Sequence, residues 1–340
     1  MYPFTLFKYS NINAKLKGMY AKKIKPKDLE ELINQEDLKS AIFILKMKNP
    51  ELNNLSDQAN RIQIEAKLDE IIISDIIKIY RLLGRKDKII FQQFIEKYKL
   101  KCIKSVFRRV FLNHDILYDN TENIREWTNS IFKDISGLEN VKDKNGFLKI
   151  IQKTKYAEIF NNLVEKDEKQ INVFMIENML DKNYLNNLLN TVKKEDDSLE
   201  KMVIQEIDLI NLLWIYRIKK YYKFSNDKLH SMVMQVPKNN GINIEELIDA
   251  EDDIGIIEKL KQSNFIKNSS TKFEIEQETN RIWHKINVKE FKNKFFSIAS
   301  ICAYINLIEL ENTDIIRIIE GIRYGISKQD IQNKLIGKVI

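Results

Sequence analysis

Apolar residues recur at intervals of three and four along most of the chain, the spacing that lines one face of an α-helix. Tyr9, Ile12, Leu16, Met19 and Tyr20 form the first such stripe and predict an amphipathic helix over Tyr9–Ile24. Pro26 stands in a good first-turn position for a second helix, Lys27–Ile33. Asp37 reads as the N-cap of a third, Leu38–Met47, which Pro50 closes. Longer helical regions follow over Ile62–Leu83, broken at Gly84, and over Lys88–Phe111, which stops at the polar cluster Asn113-His114-Asp115. Ser136–Asn145, Lys193–Ser198, Val236–Gly241 and Lys267–Lys272 read as loops. No stretch alternates with period two for long enough to predict a strand. The pattern therefore predicts an all-α fold.

Composition agrees and adds a bound on organisation. The 340 residues contain only 9 glycines and 4 prolines, too few for folds built on many tight turns. The length exceeds one compact core, so two or three subdomains are expected. The net charge is +7, but the basic residues are scattered among 49 acidic ones with no block of five, and they specify no partner. The most apolar run, Ile298 to Ile308, already contains Asn306 and falls short of the roughly 20 residues a membrane span needs. The N-terminus lacks the layout of a signal peptide, and a soluble chain is expected. Cys102 and Cys302 sit in apolar helical runs without CxxC spacing and read as buried free thiols.

Catalytic chemistry has little to stand on. His114, His230 and His284 are far apart without metal-ligand spacing. There is no glycine-rich phosphate loop, no nucleophile elbow and no HExxH. The runs Glu195-Asp-Asp197 and Glu251-Asp-Asp253 read as solvated loops. No catalytic, cofactor or metal site is expected.

Overlaying the helices exposes a repeat. Glu206-Ile-Asp208-Leu-Ile-Asn211-Leu-Leu-Trp-Ile215-Tyr-Arg217 lies over Glu309-Leu-Glu311-Asn-Thr-Asp314-Ile-Ile-Arg-Ile318-Ile-Glu320. Both read acid, any residue, acid, two others, Asn or Asp, then an apolar run. Tyr222-Lys-Phe-Ser225 and Tyr324-Gly-Ile-Ser327 follow, one residue out of register. A weaker copy, Lys97-Tyr-Lys-Leu-Lys-Cys102-Ile-Lys-Ser-Val106-Phe-Arg108, has lost the acids and the Asn. The copies lie at steps of 109 and 103 residues, so three units of just over a hundred residues would fill the chain, with boundaries near 1–115, 116–230 and 231–340.

The motif reads as fold-forming sequence. Ile207, Ile210, Trp214, Ile218 and Tyr221 form one stripe and Leu209, Leu213 and Tyr216 a second, as in a helix packed between neighbours. The acids Glu206, Asp208, Glu309 and Glu311 are placed in a first turn, where they would complement the helix dipole. Asn211, Asp314 and Arg217 then need partners if buried. Gly321 and Gly325 mark the end of the last copy, with Gly325 suited to a left-handed stop. Ser327 with Asp330 predicts a capping box for a final helix, Lys328–Ile336. The basic and aromatic stretch Arg217–Lys223 could contact phosphates or stack on bases, although a helix with a basic last turn is the commoner origin of such a stretch. Arg108, Lys219, Lys220, Tyr222, Arg323 and Tyr324 are candidate interface residues.

Tyr9-Ser-Asn-Ile-Asn13-Ala-Lys-Leu16-Lys-Gly-Met19 resembles the opening helix of a known family, the C subunit of prokaryotic V-type (A/V-type) ATPases, equivalent to the d subunit of the eukaryotic vacuolar enzyme. Asp28-Leu-Glu-Glu-Leu-Ile33, Asp37-Leu-Lys-Ser-Ala-Ile42, the middle copy of the repeat and Gly321-Ile-Arg-Tyr-Gly325 through Ile336 continue the resemblance through all three thirds of the chain. The chain departs from the family at Ser300, at Ile308, and at Lys97 and Lys99, where acids are expected. The resemblance implies three similar helical subdomains arranged with pseudo-threefold symmetry around a funnel. It implies a non-catalytic central-stalk component at the cytoplasmic face of the membrane, without cofactor. Its partners would be the shaft of the ATP-driven head and the cytoplasmic loops of the membrane rotor ring, not nucleic acid. A soluble helical-repeat adaptor or a nucleic-acid-binding protein outside any ATPase is the alternative.

Overall fold

Helices supply every regular element among the described residues of the computed structural model, which are 3–111, 121–161, 172–193, 195–237, 242–263, 265, 275–294 and 297–337. In chain order they are α1 (Pro3–Tyr20), α2 (Pro26–Ile33), α3 (Leu38–Lys48), α4 (Arg61–Leu82), α5 (Arg85–Phe111), α6 (Thr121–Ser130), α7 (Lys144–Ile151) and α8 (Ala157–Phe160). They continue with α9 (Val173–Val192), α10 (Asp197–Arg217), α11 (Asn226–Met232), α12 (Ile244–Ile248), α13 (Asp253–Gln262), α14 (Ile275–Asn293), α15 (Ile298–Arg323) and α16 (Lys328–Lys334). None among the described residues is long and apolar enough to cross a membrane. Cys102 and Cys302 are both buried and unbridged. The cluster Asn113-His114-Asp115 and the loop Lys267–Lys272 lie outside the described residues, as does the part of Val236–Gly241 beyond Pro237.

Several boundaries differ from those the pattern predicts, among them the start of α1 at Pro3, the start of α10 at Asp197 and the end of α16 at Lys334. Two further differences have reasons in tertiary contact. The first helix stops at Tyr20 rather than Ile24. There the chain turns so that Lys23 can pair with Asp75 of α4 at 3.4 Å and the Ile24 amide can donate to Glu311 of α15 at 3.2 Å. The stretch Ser136–Asn145 is also more ordered than a loop. Leu138, fully buried, opens a 3-10 turn, and Asp143 caps α7 by accepting from the Gly146 amide at 2.8 Å.

Six long helices form the frame. Ion pairs from Lys104 to Asp181 and from Arg108 to Glu177 run α5 and α9 antiparallel. The short link between α9 and α10 then sets α10 parallel to α5. Tyr304 donates to Asp75 at 2.7 Å, and Ile315 and Ile318 share a core with Ile64 and Leu68, so α15 runs antiparallel to α4. The second helix of each pair packs on the first of another: α5 on α9, α10 on α14, and α15 back on α4.

Short helices cover the C-terminal halves of α5, α10 and α15. Phe107 and Phe111 of α5 pack with Phe147 of α7 and Phe160 of α8. Leu209, Leu212 and Ile215 of α10 share a core with Leu229, Ile248 and Ile256 from α11, α12 and α13. Ile315, Ile318 and Ile319 of α15 share theirs with Leu32, Ile42 and Leu45 from the start of the chain, together with Ile331 of α16. The N-terminal and C-terminal helices thus build one core between them.

A second repeat becomes visible at these short helices. Asp37, Asp143 and Asp252 cap α3, α7 and α13, each accepting at 2.8 Å from the amide three residues on (Ser40, Gly146, Gly255). The caps lie at steps of 106 and 109 residues. Two of the copies align without a gap, Glu30-Glu31-Leu32-Ile33 through Asp37 and Leu45 over Glu245-Glu246-Leu247-Ile248 through Asp252 and Leu260. Overlaying only the long helices passes over this match.

Candidate functional site

The repeated acids are not in a first turn. Asp197 opens α10 and Ile298 opens α15, so Glu206, Asp208, Glu309 and Glu311 stand in mid-helix, and the helix-dipole explanation fails. The apolar run preceding each motif continues the helix backwards because burial favours it. In mid-helix the acids play different parts: Glu206 and Glu309 lie near Lys97 of α5, whereas Glu311 accepts from the Ile24 amide.

Lys97, Glu206 and Glu309 hold matching positions in the three copies, and the fold brings them together. Lys97 Nζ pairs with Glu309 and donates to Asn306 Oδ1 at 2.8 Å, while lying 4.7 Å from the Phe94 ring centroid. Burial pushes the Glu206 carboxyl up to about 7, Lys97 opposing the rise and Glu309 adding to it. The lysine that departs from the expected acid therefore sits where a third carboxylate would meet two others.

From this point a cleft of about 480 Å³ opens between α5, α9 and α10. Lys97, Lys101, Lys104 and Arg108 line it from α5, Glu206, Ile210, Leu213, Trp214 and Arg217 from α10, and Asp181, Tyr184 and Leu185 from α9. The α5 and α10 faces are related by the same step of 109 that relates the copies, Lys97 to Glu206 and Arg108 to Arg217. Most cations are answered across the helices. Lys101 meets Asp69 at 3.3 Å, Lys104 pairs with Asp181, Arg108 with Glu177, and Arg217 Nε donates to Glu276 Oε1 at 2.9 Å. Arg108 and Arg217 thus tie the ends of α5 and α10 to α9 and α14.

The other motif residues hold the fold's outer parts. Asn211 accepts from the Met234 amide at 2.9 Å and donates to the Met234 carbonyl at 2.8 Å. Asp314 accepts from the amides of Ile336 and Gly337 at 2.8 and 2.9 Å. Each long helix thereby holds the segment that follows its short partner helix, α11 or α16. A Cβ on Gly321 would lie 2.6 Å from the Ile331 side chain, so the close approach of α15 and α16 at this point needs a glycine. Gly325 has φ of 64°, with Ile326 N–H donating to Gly321 at 2.8 Å and Gly325 N–H to Ile322 at 3.1 Å, the two bonds of a Schellman stop. Asp208 is buried on the same helix as Asn211, and Glu311 accepts from Ile24.

The one-residue slip between copies has a local cause. Ile218–Tyr222 forms a π-helical turn, which absorbs one extra residue in a helix, and the chain then turns left-handed at Lys223 (φ 49°) where the other copy has Gly325. Ser225 caps α11 by accepting from Lys228 N–H at 3.4 Å, and Ser327 caps α16 by accepting from Asp330 N–H at 3.1 Å. Ser327 also donates to the Asp330 carboxylate at 2.7 Å in place of the reciprocal backbone bond of a capping box. Tyr221, expected in the apolar stripe, is exposed, because the wider turn rotates it out of the core.

The interface candidates fall at helix ends. Lys219 donates to Asn226 at 2.9 Å, Lys220 to the Tyr216 hydroxyl at 3.1 Å, and Arg323 to Glu320 at 3.0 Å. Tyr222 stacks on Phe174 with centroids 4.8 Å apart, whereas Tyr324 is 71% exposed. His230 lies 3.5 Å from Glu245, and burial lowers the His284 pKa. His114 lies outside the described residues. No group of three His, Cys, Asp or Glu side chains among the described residues could hold a metal ion. The cleft offers paired charges and an aromatic wall, which suit contact with a protein segment better than bond-making.

The sequence profile of the ATP synthase (C/AC39) subunit family matches residues 12–334, nearly the whole chain. The chain belongs to this family. The resemblance read from the N-terminal helix and the repeated motif is thereby borne out. A curated relative, the C subunit of the A-type ATP synthase of Methanocaldococcus jannaschii, is 25% identical over 221 residues. The match covers 62% of this chain and 54% of the relative, so the chain spans about half the length of the curated protein it matches. The family is one of ATP synthase subunits.

Proposed function

We propose that the protein is the non-catalytic central-stalk socket of a V/A-type ATPase, joining the rotating shaft of the ATP-driven head to the membrane ion-carrying ring. The observation that carries the reading is the cleft that Lys97 and Glu206 line between α5, α9 and α10, in a chain of this family. A socket must receive a partner and stay rigid under torque. The outer clamps of Asn211 and Asp314 and the ties of Arg108 and Arg217 favour rigidity. Three similar subdomains in pseudo-threefold array agree with the three covered helix ends and the cyclic packing of α5, α10 and α15. The exposed end residues Lys219, Lys220, Arg323 and Tyr324 are candidates for the ring-facing or shaft-facing contacts. The subunit is peripheral, held at the cytoplasmic face through the complex.

Deletion of the gene tests the reading. Membranes from the deletion strain are expected to retain ATP hydrolysis by the head while losing ATP-driven ion pumping, and the protein should co-purify with the ATPase. Pumping that persisted without the subunit would defeat it. The phosphate-binding alternative finds less support, because Arg217, Lys219 and Lys220 already engage Glu276, Asn226 and Tyr216.

A further inference from the structure

Among the described residues, the cleft between α5, α9 and α10 contains one charge that the fold leaves unanswered. Its cations each have a carboxylate: Lys97 has Glu309, Lys101 has Asp69 and Lys104 has Asp181. Glu206, half-buried where the cleft closes, makes no hydrogen bond and no ion pair among the described residues. The charged groups around it are Lys97 from α5, Asp181 from α9 and Glu309 from α15, so the one cation nearby is already committed and two carboxylates repel it. A half-buried, unpaired carboxylate beside two others costs stability unless something outside the chain answers it.

The walls of the cleft suit the missing group. Beyond Glu206 along α10 come Ile210, Leu213 and Trp214, and Tyr184 faces them from α9. An apolar wall of this kind takes the aliphatic stem of a long side chain while its charged head reaches a carboxylate. An indole face adds attraction for a cation.

We infer that the cleft receives a lysine or arginine side chain from the foot of the shaft, which pairs with Glu206. The inference rests on the socket reading and names the chemistry of that contact. An acidic shaft segment would instead have to displace carboxylates already seated on Lys97, Lys101 and Lys104.

The test is a calorimetric titration of the full-length chain with the purified central-shaft subunits at neutral pH. It compares wild type with Glu206→Gln and Glu206→Lys, alongside each variant's urea midpoint. Glu206→Gln is expected to bind roughly tenfold more weakly, and Glu206→Lys more weakly still. Glu206→Gln should also unfold at an equal or higher urea midpoint, since it removes an unpaired charge. Loss of affinity without loss of stability separates a binding role from a folding role. Wild-type affinity in Glu206→Gln, or tighter binding by it, would overturn the inference and leave the socket reading standing. A wild-type chain that failed to bind the shaft at all would overturn the socket reading, and the inference with it.

Discussion

Asn211 and Asp314 stand at matching positions of two long helices and do the same thing, each holding the backbone that follows a short helix at the periphery. Lys97, Glu206 and Glu309 also match, yet they differ, Lys97 pairing with Glu309 and both acting on the Glu206 carboxyl. Asn211 and Asp314 each hold the segment after the short helix that follows their own long helix, so a similar solution serves in both. The three Asp caps at Asp37, Asp143 and Asp252 behave likewise. Lys97 pairs with Glu309 and both act on Glu206, and three carboxylates in these positions would repel. One lysine against two acids removes most of that repulsion. Divergence of the first copy is thus a consequence of convergence in space.

Restoring the acid at position 97 is the severest challenge to this contrast. Lys97→Glu is expected to destabilise the protein by about 4 kcal/mol in urea unfolding at neutral pH. Adding Glu206→Lys should recover part of the loss, and a double variant no better than the single one would count against convergence. At the periphery, Asp314→Ala leaves the Ile336 and Gly337 amides without their acceptor and should cost about 3 kcal/mol. Gly321→Ala forces Ile331 aside and should cost about 2 kcal/mol, seen as a lower melting temperature. If these two outer changes were neutral, the clamps would not hold the fold.

The pH dependence probes the interior acids more gently. Burial raises the carboxyls of Glu206 and Glu311 to about 7, above their ordinary value when unfolded of roughly 4.3. Raised folded pKa values stabilise the protein fully below about pH 4, and that contribution fades as pH climbs through about 7. Between pH 5 and 8, Glu206→Gln and Glu311→Gln should each decline less steeply than wild type in urea-derived stability. Parallel profiles would show that neither acid is raised. The smallest effect belongs to Lys223→Gly, which relieves a left-handed lysine and should change stability by less than about 1 kcal/mol. Its test is whether the left-handed position tolerates lysine as cheaply as the other copy's Gly325 suggests it should not.

Much of the fold is legible in the residues. The spacing of Tyr9, Ile12, Leu16, Met19 and Tyr20 locates a helix on which the first four are buried while Tyr20 is exposed, and Asp37 and Ser327 cap the helices the pattern assigns to them. Boundaries differ where distant groups decide them: Lys23 and Ile24 leave their helix for Asp75 and Glu311. The candidate site is half legible. The repeat singles out Glu206 and Arg217 on one helix and Glu309 on another, and it assigns the acids to first turns they do not occupy. Lys97 reads as mere departure from a pattern, since nothing local to Lys97 reveals the two carboxylates that it serves.

Local chemistry determined what each segment would become. Hydrophobic periodicity made helices, aspartate and serine side chains opened them by accepting orphan amides, and Gly325 stopped one by turning left-handed. Those interactions span a few residues and can be read in chain order. Only the tertiary structure decided that α2 and α3 complete the core at the end of α15, and that Lys97, Glu206 and Glu309 share one place. Charge interactions and burial depend on distance through space. Here the groups that meet are separated by more than a hundred residues of chain.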